Sequence, residues 1–259
     1  MAKGGLDLFD LTGRTAAVIG GNSTLGSAMA EAFGAYGARV AIVGRNAESG
    51  EAVCRRIEAA GGAARFFAAD AVKREDLARV LAEITEWGGG VDILMNCPGR
   101  NSATPFFEIP EEEWDAIMDV NAKSVMLACQ VFGRHMVERG SGSIINISSV
   151  SSGPPLSRVF TYSASKAAVN SMTQFLAREF AASGVRVNAI IPGFFPAEQN
   201  RKILTEERVQ SIMTHTPMKR FGEPSELQGA ALFLASGRAS GFVTGTLLRV
   251  DGGFGAMTI

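Results

Sequence analysis

Histidine and cysteine are scarce in this chain of 259 residues, which carries two of the first and three of the second. His135 and His215 stand in unrelated contexts, which argues against histidine-based triads and HExxH metal sites, so no metal is expected. Cys54, Cys97 and Cys129 are odd in number, widely spaced and form no CxxC pair, so neither a disulfide framework nor a zinc site is indicated. An excess of either charge is also missing. Lys and Arg number 25 against 26 Asp and Glu, and a net charge of −1 gives no case for nucleic acid or an anionic membrane as partner. No apolar run is long enough to span a bilayer, and residues 1–14 lack the apolar core of a signal peptide. A reducing cytoplasm is the expected location. If the chain is an enzyme, some residue other than histidine must move its protons.

What is present is an ordinary globular balance, 46% hydrophobic and 20% charged, with enough length for a sizeable core. Thr15–Ile19 is a short apolar run that suits a fully buried strand. It runs into Gly20-Gly21-Asn22-Ser23-Thr24-Leu25-Gly26, and then into a helical pattern with Leu25, Met29 and Phe33 four apart and Gly37 as a stop. Arg39–Val43 reads as a second buried strand. Strand, glycine loop, helix and strand make a βαβ unit whose turn lets backbone N–H groups approach a pyrophosphate. The alternation continues with helices at 46–60, 73–87, 111–138 (broken once near Val120) and 161–183, and strands at 64–69, 91–96, 143–147 and 185–191. Short helices at 206–214 and 224–235 precede a last strand, Leu247–Val250. Seven strands separated by helices predict an α/β fold, a doubly wound parallel sheet of Rossmann type. No linker, repeat or low-complexity segment interrupts it, so one domain is expected over residues 1–259.

Ligands of such sheets sit beyond the carboxyl ends of the strands. Polar residues collect there: the glycine loop after the first strand, Arg45 and Asn46 after the second, Asp70 after the third, Asn96 after the fourth, Ser148 and Ser149 after the fifth, and Pro192-Gly193 after the sixth. Asp70 and Asn96 each suit either a ligand contact or a cap of a helix or turn. At the front of the helix over 161–183 stand Tyr162 and Lys166, four apart and on one face. An ammonium beside a phenol favours phenolate, so the pair predicts a tyrosine with a lowered pKa that exchanges protons with an alcohol or carbonyl. Two such residues on a helix are by themselves more often a solvated surface pair.

Taken together, the glycine loop, Asp70, Asn96 in Asn-Cys-Pro-Gly, Asn121 in Val-Asn-Ala-Lys-Ser, Ile-Ser-Ser, Tyr-Ser-Ala-Ser-Lys, Pro192-Gly193 and Val250-Asp251-Gly252-Gly253 resemble the short-chain dehydrogenase/reductase family, from about residue 11 to residue 253. The resemblance implies hydride transfer between a nicotinamide cofactor and a carbonyl/alcohol pair. It implies Tyr162 as general acid or base and Ser149, thirteen residues upstream, as hydrogen-bond donor to the substrate oxygen. It implies Lys166 on the ribose hydroxyls and beside the phenol, and Asn121 holding a water of the proton relay. The cofactor contacts it implies are Gly20, Asn22, Ser23, Thr24, Leu25, Gly26, Arg45, Asp70, Ala71, Asn96, Tyr162, Lys166, Pro192, Gly193 and Phe195. A homotetramer, or a homodimer, is implied as well, built on the helices over 111–138 and 161–183 and on residues 241–259; the apolar residues of those helices, Val125, Met172 and Phe175 among them, suit either a second copy or the sheet.

The chain departs from that family's pattern at Ile19, where a threonine is usual, and at Thr24, which replaces a glycine of the phosphate loop. Ala197 stands where a threonine often touches the carboxamide. The end of the second strand lacks a carboxylate and carries Arg45, which favours NADP over NAD because a guanidinium pairs with a 2′-phosphate. A substrate lid is expected over residues 194–217. Its Phe-Phe-Pro-Ala-Glu-Gln-Asn-Arg run is similar to family members that act as D-mannonate oxidoreductases. A sugar acid needs a cation for its carboxylate, and Arg100, Asn101, Arg158 and Arg201 are the candidates, with Arg158 or Arg201 preferred. Reduction of a 3-oxoacyl thioester or a cyclic ketone, and a non-catalytic dinucleotide-binding role, remain alternatives.

Overall fold

All five residues of Thr15–Ile19 are buried, and this run forms β1, the strand around which the sheet is laid. A strand covered on both faces needs apolar residues at every position, which is why it shows no alternation. In the computed structural model, which describes residues 6–195 and 205–256, seven strands form one parallel sheet in the order β3-β2-β1-β4-β5-β6-β7. The others are β2 (Arg39–Gly44), β3 (Ala63–Ala68), β4 (Ile93–Asn96), β5 (Gly142–Ile147), β6 (Val185–Pro192) and β7 (Leu247–Val250). The strand order reverses between β1 and β4, and the crevice that such a reversal opens lies above Ile19 and Asn96, which are register partners.

Helices α1 (Thr24–Ala35), α2 (Ala47–Ala59) and α3 (Arg74–Gly88) follow the first three strands. Ser23 and Asn46 cap the first two with their side chains, each accepting from a backbone N–H three residues on. The expected long helix divides as the sequence reading anticipates near Val120: α4 (Glu111–Met118) passes through a π turn, Asp119–Lys123, into α5 (Ser124–Arg139). Then come α6 (Phe160–Ala181), α7 (Glu206–His215), α8 (Gln228–Ala235) and the one-turn α9 (Gly237–Ser240). The last was not anticipated, and neither was the 3₁₀ turn Leu6–Phe9. Of the expected lid, residues 196–204 lie outside the described residues, and Ala197 and Arg201 with them.

The core is two layers, one on each sheet face. Val18, Met29, Phe33, Ile57 and Leu234 belong to one, and Leu77, Ile84, Phe132 and Val169 to the other. Phe33 and Phe132 are completely buried, and each contributes about 1.5–3 kcal/mol relative to an exposed position. Val125, for which a face between copies and the sheet were both open, is 1% exposed within the second layer, because α5 turns it toward the sheet. Among the described residues no helix is long and apolar enough to cross a membrane.

Candidate active site

The turn after β1 is shaped for close backbone approach. Gly20 has φ +74°, a conformation that favours glycine, and a Cβ there would meet the Cys97 carbonyl oxygen at 2.6 Å. A Cβ on Gly26 would lie 2.4 Å from the Gly20 carbonyl oxygen, so the first turn of α1 presses directly on the loop. Ser23 locks the arrangement: its Oγ donates to the Gly20 carbonyl at 2.8 Å and accepts from the Gly26 N–H at 3.1 Å. Thr24 and Leu25 open the helix, where N–H groups have no partner within it and the helix dipole favours an anion. Thr24 is exposed and takes the first helical position without a left-handed backbone, so its side chain does not distort the loop. The cradle fits a diphosphate.

Across β2, Asn22 reaches Ser49 Oγ at 2.9 Å, and Gly44 gives it room, since a Cβ there would approach Asn22 Oδ1 to 2.8 Å. Arg45 follows immediately and is exposed beside the start of α2. Asp70 sits half-buried after β3 with Oδ1 accepting from Val72 N–H, and Ala71 beside it packs on the core. Pro192 ends β6. Gly193 is tight against Asp251, whose Cα would lie 2.7 Å from an added Cβ, and the Phe195 ring packs over Gly222. Asn96 differs from these. Its side chain is fully buried and donates to Asn146 Oδ1 at 2.9 Å, and Asn146 donates to Thr173 Oγ1 at 2.9 Å. This amide braces β4 against β5 and α6.

At the end of β5 the chain meets α6. Lys166 is 2% exposed and its Nζ donates to the Ile147 carbonyl at 2.9 Å and the Pro98 carbonyl at 3.2 Å. An ammonium has three N–H donors, so one remains for a ligand. Its Nζ is 5.8 Å from the centre of the Tyr162 ring. Ser149 caps a 3₁₀ turn, Val150–Ser152, and its hydroxyl acts on the Tyr162 phenol. Asn121 lies in the π turn, a feature frequent at functional sites. Its amide is fully committed to the protein. Oδ1 accepts from Arg100 N–H at 2.8 Å, and Nδ2 donates to the Arg100 carbonyl and Ser165 Oγ, both at 2.9 Å. Asn121 thereby ties the loop after β4 to α6, and Ser165 passes the contact to the Tyr162 carbonyl at 2.7 Å.

The protonation state differs from the expectation. Burial pushes the Tyr162 phenol above the usual tyrosine value, the Ser149 hydrogen bond opposes the shift, and nearby Cys97 adds to it. Burial pushes Lys166 down to about 8, with Cys97 opposing. In the free protein the phenol is therefore raised where the spacing predicted a lowering, and loss of water is the largest cause at both groups. At neutral pH Tyr162 is a neutral phenol, ready to donate a proton.

The rim is open. Arg100, Asn101 and Arg158 are exposed, and Asn101 Oδ1 is taken by the N–H of Ser102. Arg158 has φ +70°, rare for a residue with a Cβ. A residue that the sequence reading missed stands beside it. Arg208 on α7 donates to Ser157 Oγ at 2.8 Å and to the Ser157 carbonyl at 3.4 Å, fastening α7 to the loop before α6. These two residues are 51 positions apart, and no local pattern announces the contact.

A dinucleotide cradle and a Ser-Tyr-Lys cluster on one edge of a parallel sheet define a nicotinamide-dependent oxidoreductase. The chain belongs to the short-chain dehydrogenase/reductase family: a family model described as enoyl-(acyl carrier protein) reductase matches residues 19–255. An uncharacterised oxidoreductase, UxuB, of Bacillus subtilis is 41% identical, over 95% of this chain and 96% of that protein. A 5-keto-D-gluconate 5-reductase of Escherichia coli is 36% identical, over 95% and 97%. Among solved structures, a gluconate 5-dehydrogenase from Burkholderia cenocepacia in complex with NADP and tartrate aligns with a TM-score of 0.93 and 35% identity, over 98% and 99% of the chains. A Haemophilus influenza protein with bound NAD, for which D-mannonate oxidoreductase activity has been put forward, aligns with a TM-score of 0.91 and 33% identity, over 96% and 97%.

Proposed function

We propose that the chain interconverts a keto sugar acid or polyol with its alcohol, of the D-fructuronate/D-mannonate or 5-ketogluconate type, and that it prefers NADP. The observation that carries the reading is the convergence of Ser149, Tyr162 and Lys166 above the phosphate cradle, in a chain whose relatives are named for sugar acids. The dinucleotide, when bound, supplies or accepts the hydride. Tyr162 gives its phenolic proton to the carbonyl oxygen in reduction and takes it back in oxidation. Ser149 donates to the same oxygen as charge develops there. Lys166 holds a buried positive charge beside the phenol and one donor for the ribose. Asn121 fixes the loop that carries Pro98 and Arg100, and the carbonyls of its π turn are the candidates to hold a relay water.

Arg45 is exposed at the end of β2 with no carboxylate between it and the cradle, which favours a 2′-phosphate. Arg158 and Arg100 supply cations at the rim for a substrate carboxylate, and residues 194–217 act as the lid. The three cysteines are buried and unpaired, which suits a reducing cytoplasm. Exposed Phe107, Phe106, Phe175, Phe160 and Met126 lie on or beside α4–α6, and they favour assembly of copies, up to a tetramer, through that face. A panel of 5-keto-D-gluconate, D-fructuronate, polyols, a 3-oxoacyl thioester and a cyclic ketone, each assayed with NADPH and NADH, tests the reading. Highest kcat/KM on a keto sugar acid is expected, and preference for the thioester or the cyclic ketone overturns the substrate class.

A further inference from the structure

Ser149 is held in an unusual way. Its Oγ accepts from the backbone N–H of Ser151 at 3.2 Å and from the Ser151 hydroxyl at 3.1 Å. A serine hydroxyl has one proton to give and two lone pairs to receive. Both receiving sites are filled by the same residue two positions on, so the single proton of Ser149 is left to point away from the chain, toward the phenol and the substrate oxygen. Ser151 is 1% exposed, so water does not compete for its hydroxyl. The backbone of Ser149 is fixed independently. Ser152 Oγ donates to the Ser149 carbonyl at 2.5 Å, and Asn170 of α6 donates to Ser152 Oγ at 2.8 Å. Carbonyl and hydroxyl of Ser149 are thus clamped by two neighbouring hydroxyls.

We propose that Ser151 is a positioning residue that sets the direction of the Ser149 hydroxyl proton. The proposal rests on the reading of Ser149 as the donor to the substrate oxygen. A donor already aimed where charge develops needs no reorganisation during the reaction, and that is the source of its effect on rate. Without the Ser151 hydroxyl, Ser149 keeps one acceptor bond and its proton gains a second resting direction, back toward the vacated side. Ground-state binding changes little, because Ser151 touches neither the cradle nor the rim.

Two measurements test this. The first is steady-state reduction of 5-keto-D-gluconate by NADPH. Ser151→Ala is expected to lower kcat about tenfold with KM within about twofold, and Ser149→Ala to lower it about a hundredfold. Ser149→Ala/Ser151→Ala is expected to match Ser149→Ala, since nothing remains to be aimed. Ser151→Cys, which nearly keeps the volume and weakens the donor, is expected between wild type and Ser151→Ala. The second needs no substrate. The chain has two tyrosines, so ¹³Cζ-tyrosine labelling in Tyr36→Phe protein leaves Tyr162 as the one resonance. Ser149→Ala is expected to move it, Ser151→Ala to move it less in the same direction, and Ser151→Ala to move nothing once Ser149 is alanine. Wild-type kcat and an unmoved resonance in Ser151→Ala overturn the proposal. So does an equal displacement by Ser151→Ala in the Ser149→Ala background, which marks a merely structural role. If Ser149→Ala itself changes neither readout, it is the reading of Ser149 that falls.

Discussion

Residues 147–152 and residues 153–158 are consecutive in the chain, yet one stretch is locked and the other open. In the first, Ile147 receives Lys166, Ser148 donates to the Lys166 carbonyl at 3.2 Å, and Ser149 is clamped by Ser151 and Ser152. In the second, Gly153–Pro155, Ser157 and Arg158 are exposed, Arg158 has a left-handed backbone, and the Arg208 guanidinium reaches in from α7 to Ser157. The difference separates two tasks. Proton transfer tolerates little displacement, so its groups are held by short bonds in a buried ledge. In the proposed reading, discrimination among substrates falls to the charges on the rim, which change without disturbing the ledge.

Substitutions on the two sides should therefore differ in kind. The largest effect belongs to the ledge: Tyr162→Phe is expected to lower kcat about a thousandfold or more while dinucleotide affinity, measured by fluorescence titration, stays within about twofold. Near-normal turnover removes Tyr162 as the proton donor. Next is the nucleotide side of the rim. Arg45→Glu is expected to lower kcat/KM for NADPH about ten- to a hundredfold while NADH is spared, because a carboxylate there repels a 2′-phosphate. An equal loss with both cofactors refutes the NADP preference.

A pH dependence follows from the buried ammonium. Lys166 loses its proton through about 8, whereas Tyr162 titrates higher than an ordinary tyrosine. Below that range the lysine is charged and the phenol neutral, the state carbonyl reduction requires. kcat/KM for reduction is expected to hold through neutral pH and to fall severalfold above about 8. A profile flat to pH 10 removes the charged lysine from the mechanism. The smallest effect is expected at the substrate rim. Arg158→Gly suits the left-handed backbone and is expected to leave the melting temperature unchanged or higher. It should raise KM for a keto sugar acid about three- to tenfold and leave an uncharged polyol unaffected. Equal KM changes for both substrates refute a carboxylate contact.

What could be read in advance follows the same division. The phosphate turn, the spacing of Ser149 from Tyr162 and Lys166, and the interruption near Val120 are written in short stretches of chain, and the structure brings those residues to one edge. What escaped depends on partners far away in sequence. The phenol's pKa is governed by how α6 is buried against the loop after β4. Val125 faces the sheet because of the roll of α5. Asn96 turns inward because Asn146, fifty positions later, receives it. Arg208 finds Ser157 across 51 positions. Ser151 lies in a serine run whose members are indistinguishable by pattern, and only its bond to Ser149 sets it apart.

The π turn at Asp119–Lys123 is one residue longer than a continuous α-helix requires, with the Ser124 N–H reaching back five positions to Asp119. That surplus residue is taken up inside the turn: Ser124 reaches the carbonyl that a residue one position earlier would meet in an α-helix, so α5 leaves the turn with Phe132 and Met136, both fully buried, on the sheet. Wound as unbroken α-helix, the same chain would rotate every later position by about 100° around the axis. The bulge therefore gives Asn121 room to reach Arg100 and Ser165 without changing the face that α5 turns to the core.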